Sequence, residues 1–303
     1  MKLQRTLPSI AVAALLCATT VAVDAAPFVR DHTAAATAPA FQMFDNGKMR
    51  FGGNAGDNCY SGCTTVSTPE SSLSALGLLK QPFYYSSAAS KWFKLTFSTY
   101  PLNLDIGSGT GGANWSGANV TDITSLTGLT TDTTGFVSTG LVGSGEKGYG
   151  ALEATGTTTI NGQLFRITNR SELGATDSYV KITTTITNIS GSPATHTTMW
   201  VGTQDDYVGQ SDQPTKTKGN IVDGVFQATA GAADPASALL IESGPEGVLF
   251  YSTTPGTNAS IDSCCSFSQA YEVNPTSSPR VLTGDGSYAM NLPVADLADG
   301  AST

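Results

Sequence analysis

The sequence is short of charged residues, and above all of the basic and imidazole side chains that several functions require. Only 13% of the 303 residues are charged, with 15 Lys and Arg against 24 Asp and Glu, and there are two His. The formal net charge is −9. Too few basic residues are present to neutralise a phosphate backbone, so we expect no nucleic-acid partner.

The motifs of the common catalytic classes are also scarce. Neither His32 nor His196 is accompanied by a G-x-S-x-G nucleophile elbow. No G-x-G-x-x-G and no phosphate-binding loop stands between a strand pattern and a helix pattern, so we expect no nucleotide cofactor. A glycosidase needs two opposed carboxylates. Glu153, Glu172, Asp205 and Asp206 are candidates, but their spacing in the sequence defines no pair.

Long apolar runs are absent after the N-terminus, where residues 1–25 have the pattern of a secretory signal. Lys2 and Arg5 precede an apolar run from Ile10 to Val23, and small residues follow. The alternative is a membrane anchor, which the short run interrupted by threonines disfavours. Without residues 1–25 the chain has 13 basic and 23 acidic residues, a formal net charge of −10. We predict a secreted, extracellular or cell-surface protein with no membrane span.

Helical periodicity is scarce, whereas two-residue periodicity recurs along the chain. Residues 180–187 alternate apolar or small residues with Lys and Thr, residues 188–193 have turn chemistry, and residues 195–201 can return antiparallel. Asn161-Gly162 is the strongest hairpin signal, and Asp45-Asn46-Gly47 and Asp223-Gly224 repeat it. Residues 71–80 are the single short stretch with helical leucine spacing.

These patterns predict an all-β protein in three parts. Residues 1–25 are the signal, residues 26–40 a flexible arm, and residues 41–303 one large antiparallel β-sandwich. Long Gly/Thr/Ser-rich loops connect its strands, residues 107–145 above all, with at most one short helix. Residues 296–303 form a turn after the last strand pattern, and we expect the domain to be truncated before a closing strand, because an open edge favours aggregation.

Four cysteines remain after signal removal: Cys59, Cys63, Cys264 and Cys265. Four close cysteines can bind zinc, but an oxidising compartment favours two disulfides. Three pairings are open. Because a bond between adjacent cysteines closes a strained ring, we expect Cys264 and Cys265 each to pair with Cys59 or Cys63. A disulfide that closes so long a loop contributes about 4 kcal/mol in the chain-entropy model.

The loop at residues 203–212 is the densest polar segment. Asp205, Asp206 and Asp212 stand there among amide and carbonyl oxygens, the hard ligands that Ca²⁺ prefers, so they are the predicted metal ligands. The alternative is a solvated loop whose aspartates cap local turns. Ca²⁺ is the one cofactor considered.

Three aromatic residues are candidates for a sugar-binding site. Trp200 and Tyr207 stand near the aspartates, and Trp115 lies in a Gly-rich segment. An aromatic face beside carboxylates can hold a sugar, whereas the alternative for each Trp is core packing. Five N-x-Ser/Thr sequons, which a Ser- and Thr-rich chain also produces by chance, are predicted glycosylation sites in a eukaryotic secretory pathway. They are Asn114, Asn119, Asn169, Asn188 and Asn258.

A resemblance adds to this interpretation. The pattern V-x-I-x-x-x-I-x-N-x-S-G at residues 180–191, with L-A-x-G-x-S at residues 297–302, resembles β-sandwich modules of secreted surface proteins and adhesins. It implies a binding or structural module of a cell-surface or matrix protein, with glycans or other extracellular proteins as partners. A similar layout occurs in polysaccharide-active proteins, so the alternative is a glycoside hydrolase or polysaccharide lyase. We predict a binding module without catalytic residues.

Overall fold

The computed structural model describes residues 38–53, 61–64, 68–97, 102–109, 120–294 and 296–303, and the statements below concern these residues. The predicted signal, residues 26–37 of the predicted arm, Cys59, Trp115 and the sequons at Asn114 and Asn119 lie outside them.

The prediction of an all-β protein is confirmed, since the described residues form 19 strands and one short α-helix. In chain order the elements are β1 Gln42–Phe44, β2 Met49–Phe51, β3 Pro82–Ser86, β4 Lys91–Lys94, β5 Asn103–Gly109, β6 Val120–Ile123, β7 Thr127–Asp132, β8 Phe136–Val142, β9 Gly145–Ile160, β10 Gln163–Leu173, β11 Lys181–Asn188, β12 Thr195–Thr203, β13 Thr215–Val222, β14 Val225–Ala228, β15 Ala238–Ser243, β16 Glu246–Tyr251, β17 Asn258–Ser263, α1 Gln269–Val273, β18 Val281–Thr283 and β19 Gly286–Pro293.

The strands form four sheets rather than the single two-layer sandwich that we predicted. Sheet I has the order β1-β9-β10-β11, with β7 and β8 also paired to β9. Sheet II has the order β17-β19-β12-β5-β6, sheet III the order β14-β13-β15-β16 with β18 beside β13, and sheet IV the order β2-β3-β4. These small sheets are arranged in a propeller-like ring. The local two-residue period predicted strands correctly but does not determine which strands share a sheet.

The hairpin at Asn161-Gly162 is confirmed. Asn161 (φ 49°) and Gly162 (φ 79°) both have positive φ, as a tight turn between twisted strands requires, and they join β9 to β10. Alternation along β10 then buries Phe165 and Ile167 completely and leaves Leu164 partly exposed. The buried face of sheet I packs against the sheet II residues Leu104, Ile106, Met199 and Val201.

Sheet II positions the site described below. β12 lies in its centre and pairs antiparallel with β5 on one side and with β19 on the other, and β17 pairs antiparallel with β19. The ends of β12 and β17 and the start of β19 therefore meet at one edge. A Cβ at Gly202 would lie 2.0 Å from the Tyr288 carbonyl oxygen, so only glycine permits this approach of the two strands.

One local prediction is wrong, and a second is confirmed as a turn closed by an antiparallel bridge between Asp45 and Arg50. Residues 71–80 form a turn with a bridge between Leu73 and Leu79 instead of a helix, because Gly77 has φ 68° and packs where a Cβ would lie 2.6 Å from Ala154. The Asp45-Asn46-Gly47 turn forms, but the strands beside it join different sheets. The Asp223-Gly224 hairpin is confirmed between β13 and β14.

The disulfide prediction is also wrong. Cys264 and Cys265 bond to each other, in a turn directly after β17. Cys63 is disulfide-bonded to a partner outside the described residues, and two backbone hydrogen bonds with Trp92 hold it beside sheet IV. The late pair therefore makes no covalent link to the N-terminal segment, and the stabilisation expected from a long closed loop does not apply to it.

The last residues of the chain lie along the edge of sheet I. Ile186 and Thr303 exchange two backbone hydrogen bonds of 3.1 Å, and Asn188 accepts one of 2.7 Å from Gly300. A closing strand beyond this point remains a prediction.

Over the described ranges, no helix combines the length and the hydropathy that crossing a membrane requires.

Candidate metal centre

Acidic side chains from three chain segments meet at the edge of sheet II where β12 and β17 end and β19 begins. Asp205 and Asp206 follow β12 almost directly, and Asp285 directly precedes β19. The Asp206 amide donates to the Gly286 carbonyl at 3.0 Å, and the Cys264 amide donates to the Asp285 carbonyl at 3.3 Å. The strand register therefore fixes the backbone of all three segments relative to one another.

The loop that follows Asp206 is held by a buried anchor and returns Asp212 to the same place. Val208 is fully buried in the cluster between sheets II and III and exchanges two backbone hydrogen bonds with Ser211. Gly209 and Gln210 make the turn with positive φ. Asp206 and Asp212 thus lie near enough to Asp205 for their charges to raise its pKa. The potential ligand atoms that lie within 4.8 Å of one another among the described residues, however, include Asp205 and Asp285 and neither Asp206 nor Asp212.

Asp206 has a buried cationic partner. Lys216 extends from β13, its Nζ lies 2.7 Å from Asp206 Oδ2, and both side chains are completely buried. The same Nζ donates to the carbonyls of Gly284 at 2.7 Å and Pro214 at 3.3 Å. Three acceptors thus satisfy the three N–H groups of the ammonium. Lys216 neutralises one carboxylate and leaves the other aspartates without an ion pair among the described residues.

Three buried carboxylate oxygens of the cluster have no hydrogen-bond partner in the described part of the chain. They are the Oδ1 atoms of Asp205, Asp206 and Asp212. Only 5% of Asp205 is exposed, and the contact of its Oδ2 with Cys265 Sγ is long, at 3.8 Å. A buried acceptor without a partner costs about 1–3 kcal/mol, and more when it is charged. Three in one cluster therefore point to a positively charged ligand.

Burial, followed by the repulsion between neighbouring carboxylates, raises the pKa of the aspartates of the cluster. Burial, followed by the charges of Asp285, Asp212 and Asp206, raises the pKa of Asp205 to about 7. Burial raises the pKa of Asp206 to about 6, although Lys216 opposes the rise. Burial and Asp285 also raise the pKa of Asp212. Asp285, exposed at the mouth of the cluster, acts on all three and is therefore its common neighbour.

The chemistry of the donors favours a hard cation. One ligand atom from each of Asp205, Asp285, Cys264 and Cys265 lies within 4.8 Å of all the others. Bonded to each other, the two sulfurs offer no thiolate, so the strong donors are carboxylate oxygens. Several carboxylates with backbone and water oxygens make up the coordination shell that Ca²⁺ takes.

Two of the three predicted sugar platforms, Trp200 and Tyr207, are not available as such, and the third, Trp115, lies outside the described residues. Trp200 is 1% exposed and Tyr207 is 6% exposed, so neither presents a ring face to a ligand. Trp200 lies in the interior because β12 is the central strand of sheet II. Tyr207, in the loop after β12, packs beside Phe97 with the two ring centroids 6.3 Å apart. A small pocket beside α1 is lined by Tyr271, Glu272 and Tyr288 among others, and its volume of about 10 Å³ suits one water molecule rather than a sugar.

The structure also decides two of the predicted glycosylation sites. Asn169 and Asn188 are completely buried. The Asn169 amide donates to the Leu76 carbonyl, and the Asn188 amide donates to the Ser192 and Leu297 carbonyls. These side chains hold the fold together, so both predictions are wrong. Asn258 is partly exposed and remains a prediction.

Glu153 and Glu172 lie on sheet I rather than in the acidic cluster. Both flank Arg170, at 3.8 and 3.1 Å, and Lys181 lies 3.7 Å from Glu172. These pairs are partly exposed, as is usual for surface salt bridges of small energetic effect. Neither glutamate forms an opposed carboxylate pair with Asp205 or Asp206.

Sequence reasoning missed two residues of the site, Asp285 and Lys216. Asp285 lies in a T-G-D-G turn that resembles any other hairpin turn, and only the pairing of β19 with β12 brings it to Asp205. Lys216 lies in an alternating strand where it reads as a solvent-facing residue. Its complete burial depends on Asp206, ten residues earlier, which no local pattern reveals.

Comparison with known protein families gives no match, and no curated protein is similar in sequence. The chemistry of the site itself is therefore the basis for any statement about function.

The aspartate cluster predicts an unusual pH dependence for the protein without a cation. Asp205 binds its proton more tightly in the folded state, with a pKa of about 7, than in the unfolded chain, where it is 3.8. The resulting stabilisation is complete below about pH 4 and is lost as the pH rises through 7. The charges that act on Asp205 are those of Asp285, Asp212 and Asp206.

The comparison is between the free energies of unfolding of wild type and of an Asp205→Asn variant, both kept in chelator. We expect the value for wild type minus the value for the variant to fall by about 2–4 kcal/mol between pH 4.5 and 7.5. Urea unfolding at both pH values measures this difference. An equal change in the two proteins would show that Asp205 does not carry this buried charge.

Proposed function

We propose that this chain is a secreted β-protein, acting as an extracellular binding or structural module, whose acidic cluster binds one Ca²⁺ ion. Asp205, Asp212 and Asp285 supply the ligands. The buried ion pair between Asp206 and Lys216 lies next to them and leaves Asp206 neutralised. The observation that carries the proposal is that buried oxygens of two of these ligands, Asp205 Oδ1 and Asp212 Oδ1, have no hydrogen-bond partner among the described residues. The N-terminal signal pattern supports the extracellular placement, where Ca²⁺ is abundant.

A binding role is favoured over catalysis by the burial of the reactive groups. Asp206 is completely buried and bonded to Lys216, and Asp205 is 5% exposed. A general acid or nucleophile must contact its substrate, whereas a metal ligand can be almost fully enclosed. The raised pKa values of the two aspartates follow from burial and from repulsion within the cluster.

The ion is expected to act by stabilising the loop between β12 and β13. With the cluster neutralised, the carboxylates at residues 205, 212 and 285 no longer repel one another, so the ends of β12 and β19 are held together. Extracellular calcium sites commonly have dissociation constants of about 10⁻⁴ to 10⁻³ M. Such a site is filled at millimolar Ca²⁺ and empties in a low-calcium compartment.

Addition of about 10 mM CaCl₂ to chelator-treated protein is expected to raise the melting midpoint by about 5–10 °C at pH 7.5. This follows from a gain of about 2.7 kcal/mol for a dissociation constant of about 10⁻⁴ M, over which 10 mM is a hundredfold excess, with about 2–4 °C per kcal/mol for a domain of this size. Differential scanning calorimetry measures the shift.

Two variants and a matched control make the test specific. Asp285→Asn removes an exposed ligand, so the fold is retained and the calcium shift is lost. Asp205→Asn removes the buried charge, so the chelator-treated protein is at least as stable as wild type and does not respond. Asp223→Asn makes the same charge change in the exposed β13–β14 turn and keeps the full shift. An unchanged midpoint in wild type removes the proposal.

A further inference from the structure

A disulfide lies against the acidic cluster and changes what the cluster can bind. Cys264 and Cys265 are joined to each other, and Cys265 Sγ lies 3.8 Å from Asp205 Oδ2. Cys264 is partly exposed and Cys265 is exposed, so a reductant can reach the bond from solvent. Exposed disulfides are in general more readily reduced than buried structural ones.

The four donor atoms at this place form a compact set. The two sulfurs and one oxygen each of Asp205 and Asp285 all lie within 4.8 Å of one another. Ligand atoms in a tetrahedral zinc site lie about 3.3–3.8 Å apart, given Zn–S distances of about 2.3 Å and Zn–O distances of about 2.0–2.2 Å. The donors therefore need to move by about 1 Å. Rotation of the carboxylates and release of the S–S bond provide that movement.

Strand pairing holds the set in place after reduction. Cys264 donates a backbone hydrogen bond to Asp285, and Ser287 Oγ donates to the Ser266 carbonyl at 2.9 Å and to the Ser263 carbonyl at 3.4 Å. These contacts fasten the cysteine turn to the start of β19 on both sides of the two cysteines. Breaking the S–S bond leaves them unchanged, so the thiols stay beside Asp205 and Asp285.

We propose that reduction of the Cys264–Cys265 bond by a thiol or phosphine converts this edge of sheet II into a site for a thiophilic divalent ion such as Zn²⁺. The ligands are the two cysteine thiolates with Asp205 and Asp285. The inference rests on the proposed function only in sharing two aspartates, and it requires no calcium binding. With the Cys264–Cys265 disulfide intact, the site is selective for hard cations, and after reduction it is selective for soft ones.

The chemical steps balance as follows. A phosphine attacks one cysteine sulfur and the S–S bond breaks, with the electron pair leaving on the other sulfur. Water then attacks phosphorus, so that one phosphine oxide and two cysteine thiols result. Zn²⁺ replaces the two thiol protons, which pass to buffer, and the carboxylates complete the shell.

Co²⁺ is the probe that tests the proposal, because thiolate ligands give it a strong near-ultraviolet charge-transfer absorption that carboxylates do not. The full chain is treated with a phosphine under argon and titrated with CoCl₂. We expect one equivalent to produce the band in reduced wild type and Zn²⁺ to abolish it. Untreated protein gives no band.

A Cys264→Ser/Cys265→Ser variant keeps the Cys63 disulfide and is the matched control. After reduction it should have two fewer reactive thiols than wild type and no charge-transfer band, whereas Asp285→Asn should bind Co²⁺ at least tenfold more weakly. The proposal is overturned if reduced wild type lacks the band, if the serine variant keeps it, or if the thiol counts do not differ. The calcium shift of untreated protein is a separate measurement, so either proposal can fail alone.

Discussion

Replacement of Lys216 by Met is expected to lower the free energy of unfolding by about 3–5 kcal/mol at pH 8. Lys216 and Asp206 form a 2.7 Å ion pair with both side chains completely buried. Removing the cation leaves the Asp206 carboxylate charged in the interior with one unpartnered oxygen already present. Chemical denaturation followed by tryptophan fluorescence measures the loss.

The pair can be separated from a general packing effect in two ways. A Lys216→Met/Asp206→Asn double variant removes both charges, so it should lose clearly less stability than the two single variants together. The effect of Lys216→Met should also be smaller at pH 5 than at pH 8, because the Asp206 pKa of about 6 rises further without the lysine and the acid becomes neutral. Additive losses that do not change with pH would contradict a buried ion pair.

Replacement of Phe165 by Ala is expected to cost about 3–5 kcal/mol, through lost burial and the cavity that remains. Phe165 is completely buried on β10, in the cluster where sheet I packs against sheet II. The variant therefore tests the contact between sheets I and II. The change in urea midpoint, at unchanged slope, measures it.

The neighbouring residue provides the control. Leu164 precedes Phe165 on the same strand, faces the other side and is 38% exposed, so Leu164→Ala should cost about 1 kcal/mol or less. Similar losses in both variants would mean that β10 does not have one buried and one exposed face, and the assignment of the inter-sheet core would be wrong.

Local chemistry explains the parts of the fold that could be predicted. The Asn161-Gly162 and Asp223-Gly224 turns have their conformation encoded in two residues, and each forms the hairpin that the sequence indicates. Strands were also predicted correctly at β11 and β12, but the expected antiparallel return of β12 beside β11 is wrong. β11 pairs with β10 in sheet I, whereas β12 pairs with β5 and β19 in sheet II, where residues 199–203 are buried on both faces. Helical leucine spacing at residues 71–80 was misleading, because the left-handed Gly77 and its contact with Ala154 prevent a helix.

Long-range pairing explains the parts that could not be predicted. The grouping of strands into four sheets depends on which apolar faces meet, and alternation is the same whichever sheet a strand joins. The cysteine pairing failed for the same reason, since Cys63 lies beside sheet IV and Cys264 at the end of sheet II. Buried Asn169 and Asn188 show that a sequon cannot be told from a structural asparagine without the fold.

The candidate site divides in the same way. Asp205, Asp206 and Asp212 are close in sequence, so their clustering was foreseeable from one polar loop. Asp285 and Lys216 enter through the β12–β19 pairing and through β13, and they change the meaning of the cluster. Lys216 neutralises Asp206, so this carboxylate supports the site instead of serving as a ligand. Asp285 adds a negative charge to those of Asp205 and Asp212, and no cationic side chain among the described residues pairs with these three.

Calorimetric titration of Ca²⁺ at pH 7.5 tests the central claim most directly. The protein is first freed of cations by chelator, and its disulfides are left intact. We expect one ion per chain to bind to wild type and to Asp223→Asn, and no binding to Asp205→Asn or Asp285→Asn. Absence of binding to wild type, or equal binding to all four proteins, would contradict a cation site at the edge of sheet II.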